Sequence, residues 1–249
     1  MQNLNSNKTS LIIGANSEIA KALAKQIMSE NGQRLIVVSR NIAFYQQAEF
    51  KHCTVIQVAN YQADEIENAA RLISKGEHND ISQVFICHGV LHSNHFQPEK
   101  RLEDFTAEAF SDIVSANTIT PMLWLKALVP YLAKIKIDCK VVIFNARVGS
   151  ISDNKLGGWY SYRASKAALN MLIKSTGVEL KRRAKNIKLI SFHPGTTDSP
   201  LSKPFQKNVP EGKLFTSDYV AKKLLTIVQN TSVDGEASYL DWQGKTITW

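Results

Sequence analysis

Short apolar runs recur along the chain between amphipathic stretches: Leu11-Ile12-Ile13, Leu35-Ile36-Val37-Val38, Val84-Phe85-Ile86-Cys87 and Val141-Val142-Ile143-Phe144. Strands buried on both faces have this signature. Between the first two runs, Ile19, Leu23 and Ile27 fall four apart while Lys21 and Lys25 lie elsewhere, which predicts a helix with one apolar face. Weaker strand patterns at 54–58 and 187–192, and helical ones near 62–75, 103–133, 161–184 and 217–229, continue the alternation, with Ser217 as the cap of the last helix. Repeated strand-helix-strand units predict an α/β fold: a doubly wound parallel sheet of about seven strands, helices on both faces, joined by right-handed crossovers. The segment 194–213 breaks the rhythm, with Pro194, Pro200, Pro204 and Pro210 among its residues. It predicts a long loop of the kind that serves as a lid. No stretch has linker composition, so residues 1–249 are expected to form one domain.

Composition narrows the partners. Of 249 residues, 44% are hydrophobic and 21% charged, which suits a packed core and excludes wholesale disorder. A net charge of +8 raises nucleic acid as a partner. The only dense basic run, at 181–185, falls where a helix ends and complements the negative helix terminus, so no nucleic-acid partner is expected. Cys53, Cys87 and Cys139 lack metal-ligand spacing and predict buried free thiols. His88, His92 and His95 predict solvated histidines and no metal site. Residues 1–6 have no apolar core for a secretory signal, and no eighteen-residue apolar run exists, so the expectation is a cytoplasmic protein without membrane contact.

Two places carry chemistry. The first strand runs through Gly14-Ala15-Asn16-Ser17-Glu18-Ile19 straight into a helix, where a doubly wound fold binds a pyrophosphate on exposed helix amides. Gly14, Asn16, Ser17 and Ile19 are therefore candidate cofactor contacts, and Glu18 must point away from the phosphates. The second strand ends in Ser39-Arg40, where an NAD-specific site carries an acid for the ribose hydroxyls. A guanidinium there suits a 2′-phosphate, so NADP(H) is favoured over NAD(H). Gly89, closing the fourth strand, lets backbone lie close to adenosine.

The second place is Tyr162 and Lys166, four apart at the start of a helix and so on one face. A nearby ammonium favours phenolate and brings the tyrosine toward proton exchange with a carbonyl or alcohol oxygen.

With these motifs the chain resembles the short-chain dehydrogenase/reductase superfamily over nearly its whole length, and within it the C-factor-like branch. The matching segments also include Ser115-Ala116-Asn117-Thr118, Val148-Gly149-Ser150-Ile151, His193-Pro194-Gly195-Thr196-Thr197-Asp198-Ser199 and Leu240-Asp241-Trp242-Gln243-Gly244-Lys245. The resemblance implies a Rossmann fold and an oxidoreductase interconverting a carbonyl and an alcohol, with Tyr162 as general acid/base and Lys166 depressing its pKa and holding ribose. It further implies Asn117 in a proton relay, Thr197 and Ser199 at the nicotinamide, Pro194 and Gly195 opening the substrate loop, and a homo-oligomer paired through helices 103–133 and 161–184.

Three departures stand out. Glu18 and Ala20 occupy positions where the superfamily carries glycines, and Asn145-Ala146 stand where it carries a catalytic serine. Ser150 or Asn145 would then polarise the substrate oxygen. The acid that commonly meets adenine is absent from Gln57-Val58-Ala59-Asn60. An alternative follows from these losses: a non-catalytic nucleotide-binding or signalling protein on the same scaffold. The expected partner is a small carbonyl or alcohol, with Phe96, Trp159 and Phe205 as candidate walls.

Overall fold

The computed structural model describes residues 8–30, 32–76 and 80–249; residues 1–6, considered above for a secretory signal, lie outside them. The elements run β1 (Lys8–Ile13), α1 (Glu18–Ser29), β2 (Gln33–Ser39), β3 (Thr54–Gln57), α2 (Ala63–Lys75), β4 (Ile81–Ile86), α3 (Ala107–Val114), α4 (Thr120–Leu132), β5 (Cys139–Phe144), α5 (Tyr160–Arg183), β6 (Ile187–His193), β7 (Thr196–Thr197), β8 (Leu214–Phe215), α6 (Ser217–Asn230) and β9 (Ser238–Asp241).

Seven strands form one parallel sheet in the order β3-β2-β1-β4-β5-β6-β9. The apolar runs are continuous because each feeds two cores. Leu11 and Ile13 of β1 pack on one face with α2, α4 and α5, while Ile12 packs on the other with α1 and α6. The strand order reverses between β1 and β4, which opens a crevice at their carboxyl ends.

Four elements differ from expectation. The helix expected over 103–133 is broken into a 3-10 turn at Leu102–Asp104, α3, a π-turn at Ser115–Ile119, and α4. An extra residue in the π-turn re-aims Asn117 and Thr118 toward α5. The cap of α6 is Thr216, whose hydroxyl accepts the Tyr219 amide at 3.2 Å, so Ser217 already lies within the helix. The 194–213 segment holds a two-residue parallel ladder between β7 and β8 and a 3-10 turn at Lys203–Asn208. Finally, β9 adds an edge strand that the sequence pattern did not signal.

Cys87 and Cys139 are buried and Cys53 half-buried, all as thiols; burial pushes Cys53 and Cys139 up to about 12. In the basic run, Lys181 pairs with Glu236 and Arg183 with Glu179. Among the described residues no helix is long and apolar enough to cross a membrane, and no three His, Cys, Asp or Glu gather as metal ligands.

Candidate active site

The turn after β1 is anchored from beneath. The Gly14 and Ala15 amides both donate to the Val38 carbonyl, at 3.0 and 3.1 Å, and the buried Tyr45 hydroxyl donates to Ala15 O at 2.6 Å. Gly14 adopts φ +73°, which an L side chain rarely takes, and a Cβ there would press on the Cys87 carbonyl. Ser17 caps α1 through the Ala20 amide, leaving those of Glu18 and Ile19 without a partner among the described residues. Two open amides at a helix start suit an anion. Glu18 is bound to Lys21 at 2.9 Å, so its charge is drawn off along the helix. Asn16 is exposed beside this turn and Ile19 is buried under it.

At the end of β2, Ser39 is buried and spends its hydroxyl on Asn41 O at 2.8 Å, which removes it as a ligand donor. Arg40 is exposed, its guanidinium over the Tyr61 ring at 5.1 Å, with no acid pairing it among the described residues. His88 is buried, contrary to the solvated histidine expected, because it is enclosed by Tyr61 and the Gly14 turn.

Asn117, Lys166 and Gly89 converge. A Cβ on Gly89 would stand 3.7 Å from Lys166 Nζ and 4.0 Å from Asn117 Oδ1, ordinary contact distances. The Asn117 amide is fully engaged: Oδ1 accepts from Val90 N at 2.7 Å, and Nδ2 donates to Val90 O at 2.8 Å and to Ser165 Oγ at 3.1 Å. Thr118 donates to Ser165 O, so the π-turn is stitched to α5 one residue before Lys166.

Tyr162 and Lys166 lie side by side, the ammonium nitrogen 5.9 Å from the ring centre. Lys166 Nζ donates to Phe144 O at 3.1 Å, and the Tyr162 hydroxyl makes no hydrogen bond among the described residues. The spacing of Tyr162 and Lys166 predicts an ammonium that draws the phenol down. In the chain alone burial outweighs it: desolvation raises Tyr162 above the ordinary tyrosine range and lowers Lys166 to about 7.

That depression has a measurable consequence for stability. Between about pH 7 and the ordinary lysine value, the unfolded chain holds a proton that folded Lys166 has shed, so folding gains free energy as pH rises through this window. Thermal melts of the unliganded protein should therefore show wild type gaining on Lys166→Met from pH 7 to pH 10, and losing that gain as pH falls. Parallel curves for the two proteins would mean the amine titrates normally.

Three consecutive residues with positive φ lead into α5: Gly157, Gly158 and Trp159 at +65°, +63° and +53°. Trp159 is the only non-glycine among the described residues in that region, and it caps α5 without a side-chain hydrogen bond. Two side chains hold the turn. Arg163 donates to the Gly157 and Gly158 carbonyls, and the buried carboxylate of Glu99 accepts the Ser161 amide and hydroxyl. Glu99 thus caps, from sixty-two residues away, the helix end that carries Tyr162.

Of the two substitutes for the missing serine, Asn145 is unavailable. Its Nδ2 donates to Asn170 Oδ1 at 2.7 Å and Ser191 Oγ at 2.9 Å, and its Oδ1 accepts the Ala146 amide. Ser150 is buried with its hydroxyl 3.4 Å from that of Ser152, directly after a turn packed so tightly on α5 that a Cβ at Gly149 would stand 2.8 Å from Lys166 backbone. Beneath this turn Tyr239, from the unforeseen β9, donates to Ala146 O at 2.6 Å.

The 194–213 segment folds toward the same place. Gly195, φ +74°, lies under the Phe215 ring, and the buried Thr197 hydroxyl has no partner among the described residues. Half-buried Pro194 and Ser199 flank them. Phe205 meets Trp159 at 5.1 Å between ring centres and His92 at 5.8 Å, and Trp159 stands edge-on to Tyr162 at 6.1 Å. Sequence reasoning missed Glu99, Tyr61 and Tyr239; none belongs to a local motif, and only tertiary packing brings them here.

Residues 8–210 match the family model described as short chain dehydrogenase. Benzil reductase ((S)-benzoin forming) of Bacillus cereus is 23% identical over 251 residues, spanning 93% of this chain and 98% of that protein. C-signal of Myxococcus xanthus is 28% identical over 133 residues, 53% of this chain and 74% of that protein. The structure of an NADPH-bound carbonyl reductase from chicken fatty liver superposes with a TM-score of 0.80 at 21% identity, covering 97% of this chain and 99% of the other.

Proposed function

The chain belongs to the short chain dehydrogenase family of NAD(P)-dependent oxidoreductases, and from that premise we propose that it interconverts a carbonyl and an alcohol with NADP(H), Tyr162 exchanging the proton. The observation that carries this reading is the convergence of Tyr162, Lys166, Gly89 and Asn117 at the carboxyl ends of the central strands, with an unbonded phenol hydroxyl. The residues present fit a dinucleotide: a bare Gly14 turn with open helix amides, Arg40 with no acid beside it, and a Thr197 hydroxyl without a partner on the lid side, all among the described residues. When bound, that group supplies or removes the hydride.

The chain's own residues do the rest. Tyr162 donates a proton to the substrate oxygen in reduction and takes it back in oxidation. Lys166 holds ribose and, once charged there, stabilises the phenolate. Ser150 polarises the carbonyl, since Asn145 is spent on Asn170 and Ser191. Asn117 serves the proton path through its main chain, because its amide is spent on Val90 and Ser165.

Residues 1–249 act as one domain, and 194–213 is its lid. The aromatic run of Trp159, Phe205 and His92 beside Tyr162 favours a carbonyl with an apolar or ring-bearing flank, in keeping with the benzil reductase likeness. Exposed Ile119, Met171, Leu172 and Val178 on the outer faces of the π-turn and α5 support pairing of two copies.

The test is a panel of aryl and alkyl ketones, aldehydes and secondary alcohols, followed by absorbance of the reduced nicotinamide with each cofactor. Aryl ketones should turn over with NADPH at the highest kcat/KM. Tight NADPH binding with no turnover across the panel would favour the non-catalytic nucleotide-binding reading instead.

A further inference from the structure

Two departures from ordinary chain chemistry meet at the start of α5. Trp159, the residue before the helix, has φ +53° and no side-chain oxygen to cap it, where an aspartate, asparagine or serine would serve without strain. Glu99 supplies the cap instead, from the connection between β4 and α3. Its carboxylate is buried, and of the two buried acids among the described residues it alone lacks a cation, since Asp241 has Arg147. A carboxylate sealed from water with hydrogen bonds as its only partners costs more than a capping residue at the surface. A helix end needs neither departure; together they keep the capping position free for an indole.

Glu99 grips this turn at two points. Its main-chain carbonyl accepts the Trp159 amide at 2.6 Å, and a Cβ on Gly158 would stand 3.3 Å from the same oxygen. Both of its carboxylate oxygens accept the Ser161 amide at 3.3 Å, and the Ser161 hydroxyl donates to one of them. The residues so held lie three positions and one position before Tyr162. The other end of the same connection is equally fixed: Val90 exchanges two hydrogen bonds with the Asn117 amide, and Gly89 abuts Lys166. Residues 89–99 therefore run from the ammonium to the helix end that carries the phenol, bonded at both ends. The indole that Glu99 holds stands edge-on to Tyr162 at 6.1 Å and to Phe205 at 5.1 Å between ring centres.

We propose that Glu99 is a positioning residue for the proton step: acting through Ser161 and Trp159, its carboxylate fixes the Tyr162 phenol beside Lys166 and the indole against the phenol ring. This rests on the oxidoreductase reading above, with Tyr162 as the proton donor. A capped helix would form with many residues at this end. A phenol that must meet a substrate oxygen needs the rigid turn, because reacting groups lose rate steeply when displaced by about 1 Å.

Steady-state reduction of the best substrate in the panel, fluorescence titration of NADPH, and amide hydrogen exchange of the unliganded protein test this on Glu99→Ala, Glu99→Gln and Ser161→Ala. Glu99→Ala should lower kcat about 30- to 100-fold while the Kd for NADPH stays within about twofold, and its solvent deuterium isotope effect on kcat should exceed that of wild type. Glu99→Gln keeps the shape and one acceptor oxygen, so its kcat should return to within about fivefold of wild type. Exchange across residues 158–163 should quicken in Glu99→Ala and stay near wild type in Glu99→Gln. A Glu99→Ala kcat within about threefold of wild type, or a loss with the isotope effect unchanged, would leave Glu99 as a helix cap only and overturn the proposal. Should unliganded melting show Glu99→Ala unfolded, Ser161→Ala decides it: that variant removes the hydroxyl alone and should lower kcat about tenfold with the same rise in isotope effect. A wild-type protein that reduces no carbonyl in the panel, or keeps full activity as Tyr162→Phe, would instead overturn the oxidoreductase reading itself.

Discussion

Replacing Tyr162 by phenylalanine should lower kcat for every accepted carbonyl by about 10²–10⁴-fold while the Kd for NADPH stays within about twofold. The substitution is clean because the hydroxyl has no partner among the described residues to strand, and the ring keeps its edge-on contact with Trp159. The fold and the 194–213 segment are left as they were; on the proposed mechanism only the transferable proton is gone. The direction of the Tyr162 shift adds a second signature. Burial keeps the phenol protonated well past neutrality, so the acid needed for reduction is present across the physiological range. Oxidation needs the phenolate, and its rate should climb toward alkaline pH as the raised Tyr162 phenol titrates. Stopped-flow or steady-state rates in both directions would check this. Full reductase activity in Tyr162→Phe would assign the proton to another group.

The parts of the molecule that were legible in the sequence are those whose burial is two-sided. Leu35-Ile36-Val37-Val38 must be strand because alternate residues enter different cores, and no helix face would use all four. The edge strand β9 is Ser-Tyr-Leu-Asp, too short and too mixed to stand out, and its pairing with β6 is decided by Tyr239 filling the space under Ala146. The π-turn likewise has no local signature; it exists because Asn117 and Thr118 both find Ser165 across the interface. Within the candidate site, Tyr162, Lys166 and Gly14 stand out in the sequence because they are marked by a spacing or by a turn. Glu99 could not, since its partner Ser161 is adjacent only after the fold has formed. His88 was misjudged for the same reason: three histidines in a polar stretch look solvated until β3 delivers Tyr61 against the first of them.

Arg40 is where a single substitution should reverse a preference rather than remove an activity. A guanidinium pairing with a 2′-phosphate makes charge-assisted hydrogen bonds, each contributing about 1.5–3 kcal/mol, or about 10- to 150-fold in affinity. No acid among the described residues competes for it; its neighbour is Tyr61, whose ring it lies over and whose hydroxyl it interacts with. Arg40→Asp removes that pairing and adds repulsion toward the phosphate, while offering a carboxylate to the ribose hydroxyls of the unphosphorylated cofactor. The ratio of NADPH to NADH affinity should accordingly fall by about 10³-fold or more, from well above one to below it, with kcat for the better cofactor largely kept because Tyr162 and Lys166 are untouched. Arg40 is exposed, so the variant should melt as wild type does without ligand. Fluorescence titration of both reduced cofactors against both proteins measures the four constants required. An unchanged ratio would mean that the cation over Tyr61 faces solvent in the complex, and that the 2′ position is read by some other group or by none.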